Sequence, residues 1–177
     1  MKKEIKLKNG LIITLCTAEI ADAKNYAEYS NRLHTETPNL SHDILDGEFT
    51  EEKEIKYISS MNDSGNLLLL AKLEGKIVGH GQLCKRTKTR VRHRCDIGIG
   101  VLKDYWGNGI AGKIMYEMIE FAKSEGLEQI NLAVIGTNDR AHSMYSSFGF
   151  KEIGTFPKAM KYADGTYADE IFMVKEL

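Results

Sequence analysis

The chain opens on short apolar runs whose period changes several times, and each change marks an element. In EIKLKNGLIITLC two β-prone runs flank Asn9-Gly10, which predicts a hairpin closed by a type I′ turn. From Thr17 the pattern turns helical. Ile20, Ala23 and Ala27 share one face, predicting a helix capped by Thr17 and running to about Leu33. HTETPNLSHDILDGEFT carries turn residues and Pro38 and reads as a loop. Thr50, followed by Glu51 and Glu52, predicts an N-cap and an acidic first turn for a helix to about Met61.

The second half is more regular. In NLLLLAKLEGKIVGHGQLCKR two apolar runs flank Glu74-Gly75-Lys76, a second hairpin, and TRVRHRCDIGIGV continues as a third strand. A helix follows from about Gly109 to Ser124. Its apolar stripe is Ile110, Ile114, Met115, Met118, Phe121 and Ala122, and Gly126 ends it. QINLAVIG is a short, nearly continuous apolar strand, as expected for burial on both faces. Asn138 or Thr137 caps a short helix carrying Ala141, Met144, Tyr145 and Phe148, which Gly149 ends. FKEIGTF and TYADEIFMVKEL are closing strands around Asp164-Gly165. The order β-β-α-α-β-β-β-α-β-α-β-β predicts an α/β fold in one domain over residues 1–177, with a central mixed, mostly antiparallel sheet flanked by helices on both faces.

Composition narrows the function classes. Lys plus Arg number 24 and Asp plus Glu 25, for a net charge of −1, so no overall field favours nucleic acid or an anionic membrane. The pattern shows no repeat and no low-complexity linker. The longest apolar run, LLLLA, is far short of a membrane span, and MKKEIKLKNG has no apolar signal-peptide core. A cytoplasmic location is expected. Cys16, Cys84 and Cys95 are odd in number and lack metal-ligand spacing. His80 and His93 have no close ligand partner, so they read as structural and no metal is expected. Lys85–Arg94 holds six basic residues in ten. It reads as a solvated hairpin tip, although a 3′-phosphate, an acidic acceptor or RNA would also suit it.

The chemistry concentrates in DYWGNGIAGKIM, Asp104–Met115. Gly107, Gly109 and Gly112 fit a dinucleotide fingerprint, but the next strand ends AVIGTN, without the acid that would hold a ribose. Gly107 to Lys113 fits the start of a P-loop, but Ile114 stands where magnesium needs a hydroxyl. In the third reading Gly109 and Ala111 match the last two places of [QR]-x-x-G-x-[GA] between strand and helix, with Trp106 in place of Arg or Gln. Downstream, NDRAHSMYSSFGF matches N-x-x-A-x-x-x-Y-x-x-x-G-F at Asn138, Ala141, Tyr145, Gly149 and Phe150. Together these motifs, over roughly Asn66 to Leu177, resemble the GCN5-related N-acetyltransferase family.

That resemblance implies an acetyl-CoA-dependent transferase whose acceptor is a primary amine of a small molecule, amino acid or peptide, attacking the thioester directly in a ternary complex. A non-catalytic acyl-CoA-binding module is the alternative, and a P-loop hydrolase a more distant one. By the resemblance, Ile99, Gly100 and Val101 line the pantetheine arm, with the Val101 N–H polarising the thioester oxygen. Trp106, Gly107, Asn108, Gly109, Ile110, Ala111 and Gly112 form the pyrophosphate loop, Gly112 also serving helix packing. Asn138 hydrogen-bonds pantetheine or simply caps its helix. Tyr145 is the general acid, a phenol that keeps its proton near neutral pH. Glu36, His93, Asp96 and Glu170 are candidate bases. The first two helices, the 34–49 loop and the final hairpin would line the acceptor, and a C-terminal strand edge would suit a homodimer.

Overall fold

The structure is a computed structural model that describes residues 1–40 and 46–177. Its elements follow the expected order. They are β1 (Lys2–Lys6), β2 (Ile12–Thr17), α1 (Ala23–Glu36), α2 (Glu51–Asp63), β3 (Leu67–Leu73), β4 (Lys76–Lys85), β5 (Arg94–Val101), α3 (Ile110–Ser124), β6 (Gln129–Ile135), α4 (Asp139–Ser147), β7 (Lys151–Lys161) and β8 (Tyr167–Glu176). The eight strands form one sheet in the order β1-β2-β3-β4-β5-β6-β8-β7. Every neighbouring pair is antiparallel except β5 with β6. That parallel pair is joined by α3, the crossover a parallel pair needs.

LLLLA explains why helices cover both faces. Leu67, Leu69 and Ala71 of β3 enter a core with α3, while Leu68 and Leu70 enter a second core with α1 and α2. Alternation in a strand whose residues are all apolar supplies two apolar faces at once. On α3 the residues Ile110, Ile114, Met115, Met118 and Ala122 are buried against the sheet, each larger one contributing about 1.5–3 kcal/mol. Gly126, at φ 68°, ends that helix, and the Leu127 N–H closes on the Ala122 carbonyl at 3.0 Å.

Both helical layers press closely on β4 and β5, and glycines make the room. A Cβ at Gly81 would lie 2.2 Å from Ile114 Cγ2 of α3. On the opposite face a Cβ at Gly100 would lie 2.5 Å from Leu33 Cδ2 and 3.1 Å from both Tyr29 Oη and His80 Cε1. These two strands are the floor on which the site is built.

Some local expectations change. The first hairpin does not use a type I′ turn, because Asn9 keeps a negative φ. Instead the Gly10 N–H bonds the Leu7 carbonyl at 3.0 Å, the Leu7 N–H bonds the Leu11 carbonyl at 2.8 Å, and Gly10 alone is left-handed at 87°. This is a three-residue loop with a left-handed glycine. Thr17 ends β2 rather than capping α1; Glu19 and Asp22 form a capping box on the 3-10 turn Ile20–Asp22 that leads into the helix. Thr50 does cap α2, accepting from the Lys53 N–H at 3.3 Å. β5 begins only at Arg94, with turns before it, so most of the basic segment is exposed connection.

Candidate active site

The parallel pairing of β5 with β6 covers only Arg94, Cys95 and Asp96 against Gln129, Ile130 and Asn131. Beyond Asp96, β5 stays paired with β4 to Val101, while β6 stays paired with β8 to Ile135. The sheet therefore splits between its two central strands. The Arg86 N–H bonds the Arg94 carbonyl, and the Leu102 N–H bonds the Val78 carbonyl, both at 3.0 Å. Even-numbered residues of β5 thus face β4, and alternation turns the main-chain groups of Ile97, Ile99 and Val101 into the split. Two side-chain contacts agree with this. The Cys95 carbonyl accepts from Asn131 Nδ2 at 3.2 Å, and the Val101 carbonyl accepts from Trp106 Nε1 at 2.6 Å.

The glycine loop stands at the open end of the split. Gly107 and Gly109 are left-handed at φ 79° and 84°, and a Cβ at either would meet nothing within 4 Å. Gly109 is the N-cap of α3 and offers no side-chain cap. The first N–H groups of α3 therefore point outward with partial positive charge, an arrangement suited to an anion. Asn108 folds back, donating to the Tyr105 and Trp106 carbonyls at 3.2 and 3.4 Å. The Arg140 guanidinium lies 4.4 Å above the Trp106 ring, pinning the loop to the start of α4. Trp106 thus acts here as a strut between β5, the loop and α4. A Cβ at Gly112 would touch the Phe148 ring at 3.8 Å, so this position packs α3 against the end of α4. These are the features a pyrophosphate and an extended amide-bearing arm require: open donors on a glycine loop and an unpaired strand edge leading to it.

Tyr145 is 7% exposed and packs against Phe150, ring centroids 6.0 Å apart. Burial pushes its hydroxyl up to about 12, so the phenol stays protonated at neutral pH. Asn138 caps α4 through Oδ1, which accepts from the Ala141 N–H at 3.3 Å; its Nδ2 has no partner among the described residues. Capping therefore leaves a donor free.

The other face of β4 and β5 carries a cluster that the sequence pattern did not single out. Tyr26 and Tyr29 of α1 stack at 5.9 Å, Tyr26 and Tyr57 of α2 at 6.3 Å, and His80 of β4 meets both Tyr26 and Tyr29 edge-on. Tyr29 Oη donates to the Gly100 carbonyl at 2.8 Å, and His80 Nδ1 lies 3.1 Å from Tyr29 Oη. Tyr57 donates to Gln82 Oε1. Glu54 is 4% exposed, its carboxyl has no hydrogen bond among the described residues, and burial raises that carboxyl to about 7. A groove of about 340 Å³ opens beside the cluster, lined by Asn25, Glu28, Tyr29, Arg32 and Tyr105. Alternation of His80 and Gln82 with Gly81 and Leu83 on a central strand was the available sign, since polar residues on a buried strand need partners.

The nominated bases fare differently. Glu36 accepts from the Lys103 N–H and from Arg32 Nε, both at 2.6 Å, which ties α1 to the turn before the glycine loop. Asp96 is paired with Arg86. His93 lies in the turn before β5, and Glu170 sits on β8 opposite Ile135. The structure does not bring these four together. Of the 34–49 loop expected to line the acceptor, residues 41–45 lie outside the described residues.

Comparison with known proteins agrees with this arrangement. Residues 26–150 match the family model described as Acetyltransferase (GNAT) family. Over 110 residues the chain is 33% identical to L-amino acid N-acetyltransferase AaaT of Escherichia coli K12, covering 60% of this chain and 66%, just under two thirds, of that relative. A GNAT-family acetyltransferase from Streptococcus pneumoniae superposes with a TM-score of 0.87 at 28% identity, over 93% of this chain and 99% of that one. The yncA protein of Salmonella typhimurium, solved with its cofactor acetyl-CoA, shares the fold with a TM-score of 0.83 at 19% identity, over 93% and 94% of the two chains. The motifs, the split sheet and these matches have one explanation: the chain belongs to the GNAT acetyltransferase family.

Proposed function

We propose that the protein transfers the acetyl group of acetyl-CoA to the primary amine of an amino acid, small molecule or peptide, by direct attack within a ternary complex. The observation that carries this reading is the split between β5 and β6 leading to the open glycine loop. Extended pantetheine takes the place of a strand partner along Ile97, Ile99 and Val101. The pyrophosphate lies on the N–H groups of Gly107 to Gly112, held in shape by Trp106 and Asn108. Asn138 Nδ2 supports the pantetheine arm. The Val101 N–H points at the thioester oxygen and stabilises the charge that grows there. Tyr145, kept protonated by burial, supplies the proton that the departing sulfur needs. The name of the Escherichia coli relative, an L-amino acid N-acetyltransferase, makes an α-amine the first acceptor to test.

No helix among the described residues is long and apolar enough to cross a membrane. The homodimer reading draws support from β7, an edge strand with Ile153 and Phe156 exposed, beside Tyr167 and Phe172 of β8. That much apolar surface on an edge favours a second copy as cover; light scattering that returns a monomer would remove this part.

Isothermal titration with acetyl-CoA, followed by thiol release across the L-amino acids, polyamines and N-terminal peptides, tests the transfer reading. Binding, with thiol released only when an amine is present, is expected. No binding at millimolar acetyl-CoA would sink it.

A further inference from the structure

Transfer to an amine needs a proton acceptor, and the geometry points to one outside the motifs: we propose that His80 Nε2 receives the acceptor's proton, in a relay through Tyr29 to the Gly100–Val101 peptide. The inference rests on the transfer reading above. Proton counting leads to it. Tyr29 has one hydroxyl hydrogen, and it is committed to the Gly100 carbonyl at 2.8 Å. Contact between His80 Nδ1 and Tyr29 Oη, at 3.1 Å, then requires Nδ1 to carry hydrogen and donate into Oη. Neutral imidazole with its hydrogen on Nδ1 leaves the lone pair on Nε2. Nε2 has no partner among the described residues, and the His80 side chain is half-buried rather than sealed.

Position supports the role. His80 pairs with Gly100 in the β4–β5 ladder. The carbonyl of Gly100 and the N–H of Val101 belong to one peptide unit, so the group that Tyr29 polarises is the one whose N–H faces the split. Tyr145 lies with α4 on one side of the sheet and His80 faces α1 and α2 on the other. The proton given to sulfur and the proton taken from nitrogen thus have separate routes.

The balance is as follows. An acceptor arriving as an ammonium loses two protons in all. One loss frees the lone pair that forms the C–N bond, and the second leaves the nitrogen once that bond exists. Nε2 takes the second, when bonding to carbon has made the nitrogen more acidic. Tyr145 gives one proton to sulfur as the C–S bond breaks and is refilled by one of the two, so each turnover releases one proton to solvent. When Nε2 is protonated, Nδ1–H donates more strongly to Tyr29, Tyr29 to the Gly100 carbonyl, and the Val101 N–H to the thioester oxygen. Titratable neighbours of His80 are Tyr26, Tyr29 and His34 of α1, with Glu54 and Tyr57 of α2 beyond Tyr26. Burial, then His34, lowers the imidazole to about 4, so it is neutral at working pH and too weak a base for a free ammonium, which leaves to it the more acidic nitrogen formed once the C–N bond exists.

His80→Asn keeps a donor near Tyr29 and removes the base. The best amine found in the panel above serves as probe. The expected result is a kcat lower by about 100- to 10,000-fold with acetyl-CoA affinity unchanged, and a partial recovery when imidazole is added, because the free base then takes the proton that Nε2 no longer takes. A structural role would leave imidazole without effect. A kcat within about 3-fold of the wild type, or a deficit that imidazole leaves unchanged, overturns the proposal. A second arm needs no acceptor and no variant: the nitrogen-15 spectrum of the wild-type histidines should show His80 neutral with hydrogen on Nδ1, and hydrogen on Nε2 overturns the proposal. Wild-type protein that acetylates nothing counts against the transfer reading, while the tautomer still decides for or against His80.

Discussion

The α3–α4 face and the α1–α2 face of the sheet meet on the same two strands, yet they are built from different materials. On the first, the groups offered to ligand are mainly backbone: the strand edge at Ile97, Ile99 and Val101, and the N–H groups at the start of α3. Side chains there, such as Trp106 and Asn108, bind their own main chain. On the second, the polar groups are side chains that hold one another, Tyr29 with His80 and Tyr57 with Gln82. A backbone cradle suits a cosubstrate arm of fixed chemistry. A side-chain cluster can differ from one acceptor to another without disturbing the loop. The proposed reaction places the fixed partner on the first face and the variable partner on the second.

The largest effect expected on the first face comes from Tyr145. Tyr145→Phe should lower kcat by about 10- to 1000-fold and leave acetyl-CoA affinity unchanged, because only the proton donor is lost. An unaltered kcat in thiol-release assays would remove Tyr145 from the chemistry and leave it a core residue beside Phe150.

The next concerns Glu54 on the second face. Its carboxyl is raised by burial to about 7, from an unfolded value of 4.5. Between those values the folded chain holds a proton that the unfolded chain has released, so stability falls as pH rises through the window and the full cost is present above it. Roughly 3 kcal/mol should separate urea-unfolding stability at low pH from that at high pH. Glu54→Gln should flatten the slope and stabilise the protein at the alkaline end. Should the variant keep the slope, another group is responsible.

Two glycine variants set the faces directly against each other. Gly81→Ala drives a methyl into Ile114, and Gly100→Ala drives one into Leu33, Tyr29 and His80. Each should cost about 1–3 kcal/mol in stability. Only Gly100→Ala should also lower kcat at a pH and temperature where both variants are folded. Equal turnover in the two would reduce the α1–α2 cluster to packing.

These contrasts also explain what could be read without coordinates. The groups proposed for the cosubstrate were legible because the pattern they need is local. Left-handed glycines at 107 and 109, an N-cap at Asn138 and Tyr145 on the same helix all fall within short spacings that leave marks on the chain. The cluster proposed for the acceptor was not, because Tyr29 meets His80 across 51 positions and Gly100 across 71. Nothing near His80 marks it as different from a structural histidine. The same limit explains the first hairpin, where Asn9-Gly10 announced a turn correctly but could not say whether one residue or two would be left-handed. Thr17 looked like a cap for want of the pairing that holds it in β2 opposite Leu69.

The smallest effect separates two duties of one residue. Asn138 caps α4 through Oδ1 and leaves Nδ2 free. Asp caps a helix as well as Asn does, and its charge is welcome at a helix N-terminus. Asn138→Asp should therefore keep the melting temperature while deleting the donor proposed for pantetheine. A neutral hydrogen bond contributes about 0.5–1.5 kcal/mol net, so acetyl-CoA should bind roughly 2- to 10-fold more weakly by titration calorimetry. Asn138→Ala loses both duties, and should cost about 1 kcal/mol of stability besides. If Asn138→Asp binds acetyl-CoA as tightly as the wild type, the side chain is a cap alone, and the pantetheine arm on this face is held by main-chain groups without it.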